Sequence, residues 1–237
     1  MNDSALRVLV TGANRGIGLE FVRQLLARGD HVVAACRQPG KAAALNTLAG
    51  EHPGRLHVLP LDVAEPKSQA ELARELPLVL GDEGQLDLLV NNAGVLHSGE
   101  RFGELGAAHL EHSFRINAMG PFLLSQALAP LLADDARIAN ISSQLGSIAN
   151  LGRFGTPSYN ISKAAQNMAT ALLAKALGER GIVVLALHPG WVQTDMGGEE
   201  AEIAPDEAVR GLLATIDAAT SASSGGFFDW QGERMPW

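Results

Sequence analysis

Short apolar runs rich in β-branched residues recur along the chain, with helix-length segments between them. The runs are RVLV (7–10), HVVAA (31–35), LHVLPL (56–61), LDLLV (86–90), RIANIS (137–142), IVVLAL (182–187) and GFFDW (226–230). Several are apolar at consecutive positions instead of alternating, as in strands of a parallel sheet covered by helices on both faces. The intervening segments predict helices over 17–27, 41–48, 67–80, 107–132, 158–177 and 206–218. Pro205 ahead of the last and Gly29 behind the first fit a helix start and a helix stop. No repeat, low-complexity linker or composition break interrupts the series. The alternation predicts an α/β fold: a single doubly wound domain over 1–237, with seven parallel strands joined by right-handed crossovers. In such sheets ligands bind beyond the carboxyl ends of the strands, so the residues after each strand are the candidates for chemistry.

Composition narrows the classes. A chain of 237 residues, 46% apolar and 19% charged, can bury a continuous core without disulfides or metals. Its formal charge of −8 and lack of a basic block argue against nucleic acid or an anionic membrane as partner. Cys36 is the only cysteine, so no internal disulfide forms, and His109 and His112 lie without a cysteine nearby; no metal is expected. The opening MNDSALRVLVTG lacks the parts of a signal peptide, and no apolar run approaches the roughly 20 residues of a membrane span. The expectation is a cytoplasmic protein acting on a small molecule.

The strand ends carry the chemistry. After the first run comes TGANRGIG (11–18), where Gly12, Gly16 and Gly18 leave room for a phosphate against main-chain N–H groups at a helix start. Asn14, Arg15 and Ile17 complete this loop, and its position between strand and helix favours a dinucleotide over an empty turn. The second run ends in Cys36-Arg37, with no carboxylate to hold a ribose 2′-hydroxyl. Arg37 and Arg15 would instead suit a 2′-phosphate, which points to NADP(H) over NAD(H); both could also be solvated surface arginines. Asp62-Val63 after the third run and Asn91-Asn92-Ala93-Gly94 after the fourth fit an adenine and its ribose, or equally ordinary loop caps.

Taken together, TGANRGIG, Asp62, NNAG at 91–94, Asn117 in RINAMGPF, Ser143 in NISSQLGS, YNISK at 159–163 and HPGWVQTDM at 188–196 occur in order over nearly the whole chain. In this the chain resembles the short-chain dehydrogenase/reductase family, whose domain is of Rossmann type. Within it the chain looks like the carbonyl-reductase-like branch that includes the C-factor (C-signal) proteins. The resemblance implies NAD(P)-dependent hydride transfer between nicotinamide and a carbonyl or alcohol carbon. It carries catalytic roles onto Asn117, Ser143, Tyr159 and Lys163. Tyr159 and Lys163 would also hold the cofactor, as would Pro189, Gly190, Val192 and Thr194 beside the nicotinamide. The 16 residues from Ser143 to Tyr159 leave open whether Ser142 or Ser143 faces the substrate. The family commonly assembles through helices like 107–132 and 158–177, which implies a homodimer or homotetramer. Resemblance to C-signal also keeps open a regulatory NAD(P)-binding protein with little turnover.

Tyr159 is the only tyrosine, and Lys163 stands one helical turn beyond it. A phenol ordinarily ionises near 10, so bringing it to neutrality requires roughly 4 kcal/mol of preferential stabilisation of the phenolate. A lysine at i+4 shares its helix face and supplies opposite charge; a chance pair on a solvated face is the bland alternative. For Asn117, inside an apolar helical run, the resemblance implies a link to Lys163 through a water; the residues alone would equally fit a local helix irregularity or a buried cap. Val95, Leu145, Phe154, Trp191 and Met196 are the expected walls of the substrate pocket, which suggests an apolar or aromatic carbonyl compound.

Overall fold

A computed structural model describes residues 5–81 and 84–237. Seven strands form one parallel sheet: β1 (Arg7–Thr11), β2 (His31–Cys36), β3 (Leu56–Pro60), β4 (Leu86–Asn91), β5 (Leu132–Ile141), β6 (Val183–His188) and β7 (Phe227–Asp229). Their order is β3-β2-β1-β4-β5-β6-β7. The chain winds outward from β1 to β3, then returns to lay β4 on the other side of β1. The carboxyl ends of β1 and β4 therefore flank the point where the winding reverses, the place where such sheets bind ligands.

Seven helices cover the two faces: α1 (Gly16–Arg28), α2 (Ala43–Glu51), α3 (Pro66–Leu80), α4 (Ala107–Phe114), α5 (Gly120–Leu128), α6 (Pro157–Leu177) and α7 (Pro205–Ala218). Successive strand residues feed opposite layers, which is why the runs are continuously apolar. Val8, Val10, Val32 and Ala34 pack with Phe21 and Leu25 of α1 and Leu212 of α7. Leu9, Val33 and Leu89 pack with Leu72 and Leu76 of α3 and Leu124 of α5. Each buried leucine or phenylalanine contributes about 1.5–3 kcal/mol by leaving water. Gly29, left-handed at φ 99°, ends α1, and Pro205 begins α7, as their positions in the sequence predict.

The expected helix over 107–132 is one unbroken helical run over 107–131 whose pitch changes along it. Phe114 ends α4, a π turn occupies Arg115–Met119, and α5 then runs only to Leu128. Pro121 sits in the first turn of α5, where its missing N–H does least harm, and the π turn just before it shifts the hydrogen-bond ladder. β5 correspondingly begins at Leu132, before the expected 137. Its pairing with β4 jumps from Leu86↔Leu132 to Leu88↔Arg137 around Asp135, which takes a left-handed φ of 62°. Periodicity does not report such a bulge, because the strand keeps its apolar face on both sides of it.

Candidate active site

The glycine loop and the turn after β4 are laced together across the reversal point. The Thr11 hydroxyl accepts the N–H groups of Asn92 and Ala93, both at 3.0 Å. Asn92 Nδ2 donates to the carbonyls of Thr11 and Gly12, at 2.9 and 3.2 Å. Gly12 takes φ 63°, and a Cβ there would lie 2.9 Å from Ala93 Cα, so the two turns can touch only because position 12 has no side chain. A Cβ on Gly18 would run into the Gly12 carbonyl and the Asn92 amide. No side chain caps the start of α1, whose first N–H groups are left for an anion beside Gly16 and Ile17. Asn92 is thus the organiser of the cradle, a role the sequence reading missed in favour of its neighbour.

Asn91 offers the crevice its backbone only. Its side chain turns into the core, donating to Asn140 Oδ1 at 2.9 Å and Ser125 Oγ at 3.2 Å, so only its main chain faces the crevice edge. Gly94 is exposed there. Asp62 caps its own loop by accepting the Ala64 N–H at 3.0 Å, and the Val63 carbonyl accepts Gln69 Nε2 at 2.7 Å. Asn14, Arg15 and Arg37 are exposed. Arg15, expected with Arg37 at a 2′-phosphate, pairs here with Asp195 at 2.8 Å. That exposed pair ties the glycine loop to the segment after β6, where the Thr194 methyl lies 3.3 Å from the place of a Gly16 Cβ. Within that segment Pro189 and Val192 are buried, and the Thr194 hydroxyl accepts the Gly197 N–H at 3.1 Å. A side chain on Gly190 would strike Ile203 and Trp230.

The two serines after β5 separate cleanly. Ser142 donates to Asn167 Oδ1 at 2.6 Å inside the core. Ser143 accepts the Leu145 N–H at 3.1 Å and lies close enough to Tyr159 to favour the ionised phenol. The structure thus brings Ser143, and not Ser142, to the tyrosine. Tyr159 and Lys163 are both buried in α6, at 8% and 3% exposure.

Their electrostatics differ from expectation. Burial pushes the Tyr159 phenol up to about 12, against the opposing influence of Ser143. Lys163 Nζ lies 5.6 Å from the Tyr159 ring centroid and donates to the Ile141 carbonyl at 2.7 Å and to Gln166 Oε1 at 2.9 Å. Burial draws the amine down to about 7. A lysine at i+4 therefore does share the face, but it is bonded to the core side, and the phenol stays neutral.

Asn117 sits in the π turn, fully buried. Its side chain clasps the main chain of Val95, accepting the N–H and donating to the carbonyl at 2.8 Å each, and donates to Ser162 Oγ at 2.9 Å. The side chain is spent on these partners, and Lys163 is not one of them. The helix irregularity considered for Asn117 is real and is the π turn itself. His188, at the end of β6, is drawn down to about 4 by burial and stays neutral.

The expected pocket walls are mostly open. Val95 is half-buried, and Leu145, Phe154, Trp191 and Met196 are 42–56% exposed. Phe154 meets Phe102 edge-on at 5.8 Å, which brings the loop before α4 to the rim, a neighbour unmarked by any motif. A groove of about 330 Å³ lies instead at the far end of α6, lined by Ala171, Ala174, Lys175 and Ile182. Among the described residues no group of three or more His, Cys, Asp or Glu is placed to hold a metal, and no helix is long and apolar enough to cross a membrane.

A glycine cradle at the reversal point, with serine, tyrosine and lysine beside it, invites comparison with known proteins. The family model for short chain dehydrogenases matches residues 7–204. The chain belongs to the short-chain dehydrogenase family. The C-signal protein of Myxococcus xanthus is 42% identical to this dehydrogenase over 156 residues, covering 65% of this chain and 94% of its own. The 1-hydroxy-2-glutathionyl-2-methyl-3-butene dehydrogenase of Rhodococcus sp. (strain AD45) is 36% identical over 97% of this chain and 99% of its own. The NADPH-bound carbonyl reductase from chicken fatty liver superposes with a TM-score of 0.93 at 39% identity, over 98% of this chain and 99% of its own. Membership makes the chain an oxidoreductase.

Proposed function

We propose that this dehydrogenase is an NADP(H)-dependent reductase that converts an aldehyde or ketone to an alcohol, with Tyr159 as the proton donor. The observation that carries this is the placement of Ser143 against a buried, neutral Tyr159, with Lys163 one turn further on. The cradle fits a dinucleotide: Gly12 and Gly18 keep open what a Cβ would fill, and the uncapped start of α1 is suited to a phosphate. The glycine loop from Asn14 to Gly18, Asp62, Val63, Ala93, Gly94 and the main chain of Asn91 would line it, with Pro189, Gly190, Val192 and Thr194 at the nicotinamide end. Arg37, and Arg15 once freed from Asp195, would take the 2′-phosphate, and buried Cys36 leaves no carboxylate to oppose it. The solved relative with bound NADPH supports the same choice. Bound there, NADPH supplies the hydride.

Ser143 holds the substrate oxygen and stabilises its developing charge. Tyr159 gives that oxygen its proton; burial keeps the phenol protonated but makes it a weaker acid, which a nearby positive charge would have to offset. Lys163 would hold the ribose hydroxyls and, by its charge, stabilise the phenolate left behind. Asn117 would take part in passing a proton toward Lys163 by way of a water. The decisive variant is Tyr159→Phe, which should bind NADPH nearly as wild type while losing about 100-fold or more in carbonyl reduction. Retained turnover would remove Tyr159 from the role. The 42% identity to C-signal keeps a second reading, a regulatory protein that binds NADP(H) without needing turnover. NADPH oxidation over a panel of aldehydes, ketones and quinones separates the two, since silence throughout together with tight NADPH binding would favour the regulator.

A further inference from the structure

Gln166 has no part in the chemistry above, yet its side chain holds Lys163. It is 1% exposed, three residues after Lys163 on the same face of α6. Its Oε1 accepts from Nζ at 2.9 Å while the Ile141 carbonyl accepts at 2.7 Å. An ammonium only donates, so the carboxamide has to turn its oxygen to the lysine. That leaves Gln166 Nε2 buried with no acceptor among the described residues. A buried donor left unpaired is costly, and an aliphatic side chain at this core position would carry no such cost. Packing therefore does not explain a glutamine here, whereas the hold on Lys163 does.

The surroundings of the amine sharpen the point. Lys163 packs against Tyr159 on its own helix, the turn at Gly146 after β5, and Gly94 with Asn117 across the crevice. Of these only Tyr159 ionises, and no charged side chain bears on the amine. Oxygen acceptors are then the means by which this site can favour the charged lysine.

We propose that Gln166 is a positioning residue for Lys163: its Oε1 favours the charged amine and, with the Ile141 carbonyl, keeps it in a core-side station from which it moves to the ribose and the phenol when NADPH binds. This rests on the reading of Lys163 as the residue that supports Tyr159. Gln166→Leu removes the acceptor, and Gln166→Glu replaces it with a charge of nearly the same shape. The measurements are kcat/KM for NADPH against pH, and NADPH Kd against pH by fluorescence quenching. In the leucine variant the alkaline limb should move down by about one pH unit, the size of a hydrogen bond to a charged group. In the glutamate variant it should move up by about as much or more, and NADPH should bind more weakly throughout because the lysine is retained. Opposite displacements support the proposal. Limbs that stay in place in both variants, even with a uniform loss of rate, reduce Gln166 to a packing residue and overturn it. Should the leucine variant not fold, the glutamate variant alone carries the test by the direction of its limb. If Tyr159→Phe retains turnover, the catalytic reading fails separately; the pH dependence of NADPH Kd then decides for Gln166, opposite shifts supporting the hold on Lys163 and no shift overturning it.

Discussion

At the scale of single residues, burial acts on Tyr159 and Lys163 in opposite senses: it keeps the phenol neutral and makes the amine easy to discharge. Because kcat/KM reports groups of the free enzyme, carbonyl reduction at limiting NADPH should fall as pH rises through about 7, where Lys163 loses its proton. A profile flat from pH 6 to pH 9 would exclude Lys163 as the charged partner. The same burial has a consequence for stability. Folded Lys163 ionises at about 7 against its ordinary 10.5, so between these values the unfolded chain binds more protons and the folded state gains stability as pH rises. Below pH 7 the full penalty applies, on the order of a few kcal/mol. Lys163→Met should therefore raise Tm relative to wild type most at pH 6, with the advantage shrinking toward pH 10. An advantage independent of pH would mean the amine is not desolvated as placed. Tyr159 and Lys163 were legible in the sequence through their spacing taken together with the glycine loop, Ser143 and Asn117. Gln166 and Asn92 were not, because nothing in a one-dimensional pattern distinguishes a polar residue bonded to a buried lysine or to a neighbouring turn from one facing solvent.

At the scale of elements, α6 carries Tyr159 and Lys163, and the loop before α4 anchors its start. Thr156, the residue ahead of the helix, takes a left-handed φ of 41° and supplies no cap. Glu100 does so from 58 residues away: its buried carboxylate accepts the Ser158 N–H at 3.0 Å, with His109 Nδ1 3.3 Å from its other oxygen. His109 in turn stacks on His97 at 4.2 Å, so the histidines that offered no metal spacing form a packed prop for this loop. Replacing Glu100 by alanine should destabilise the protein by about 1–2 kcal/mol, the cost of losing a helix cap, whereas glutamine, which can still accept, should cost less. Equal losses on denaturant unfolding would deny the capping role. The strands and most helices were legible because each answers to a run of apolar residues or to a helix-ending glycine such as Gly29. The π turn, the bulge at Asp135 and a cap from a distant loop were not, since each depends on contacts between segments and leaves the local pattern unchanged.

At the scale of the whole molecule, the topology that puts β4 beside β1 was readable from strand–helix alternation, and with it the edge where a cofactor would lie. Pairings across that edge, such as Arg15 with Asp195 180 residues later, become visible only in three dimensions. The largest unexplained feature is on the outside. α6 buries Tyr159, Ser162, Lys163 and Gln166 on one side and on the other exposes Ile161, Met168 and Leu172 by 53–63%, with Phe114 of α4 also exposed. Helices α4 and α6 pack on each other, so these side chains form an apolar stripe where a lone protein would carry polar residues. A second copy meeting this stripe would bury it and brace the outer face of the helix that carries Tyr159 and Lys163. The expected state in solution is therefore at least a dimer, with a light-scattering mass of twice the 24.9 kDa chain or more at micromolar concentration. Met168→Glu together with Leu172→Glu should halve that mass, since paired like charges facing each other across a two-fold axis repel and lose water without a partner. The monomer so produced should keep the fold but lose Tm, because α6 is left with one covered face. A wild-type mass of a single chain would show that the stripe serves no contact between copies.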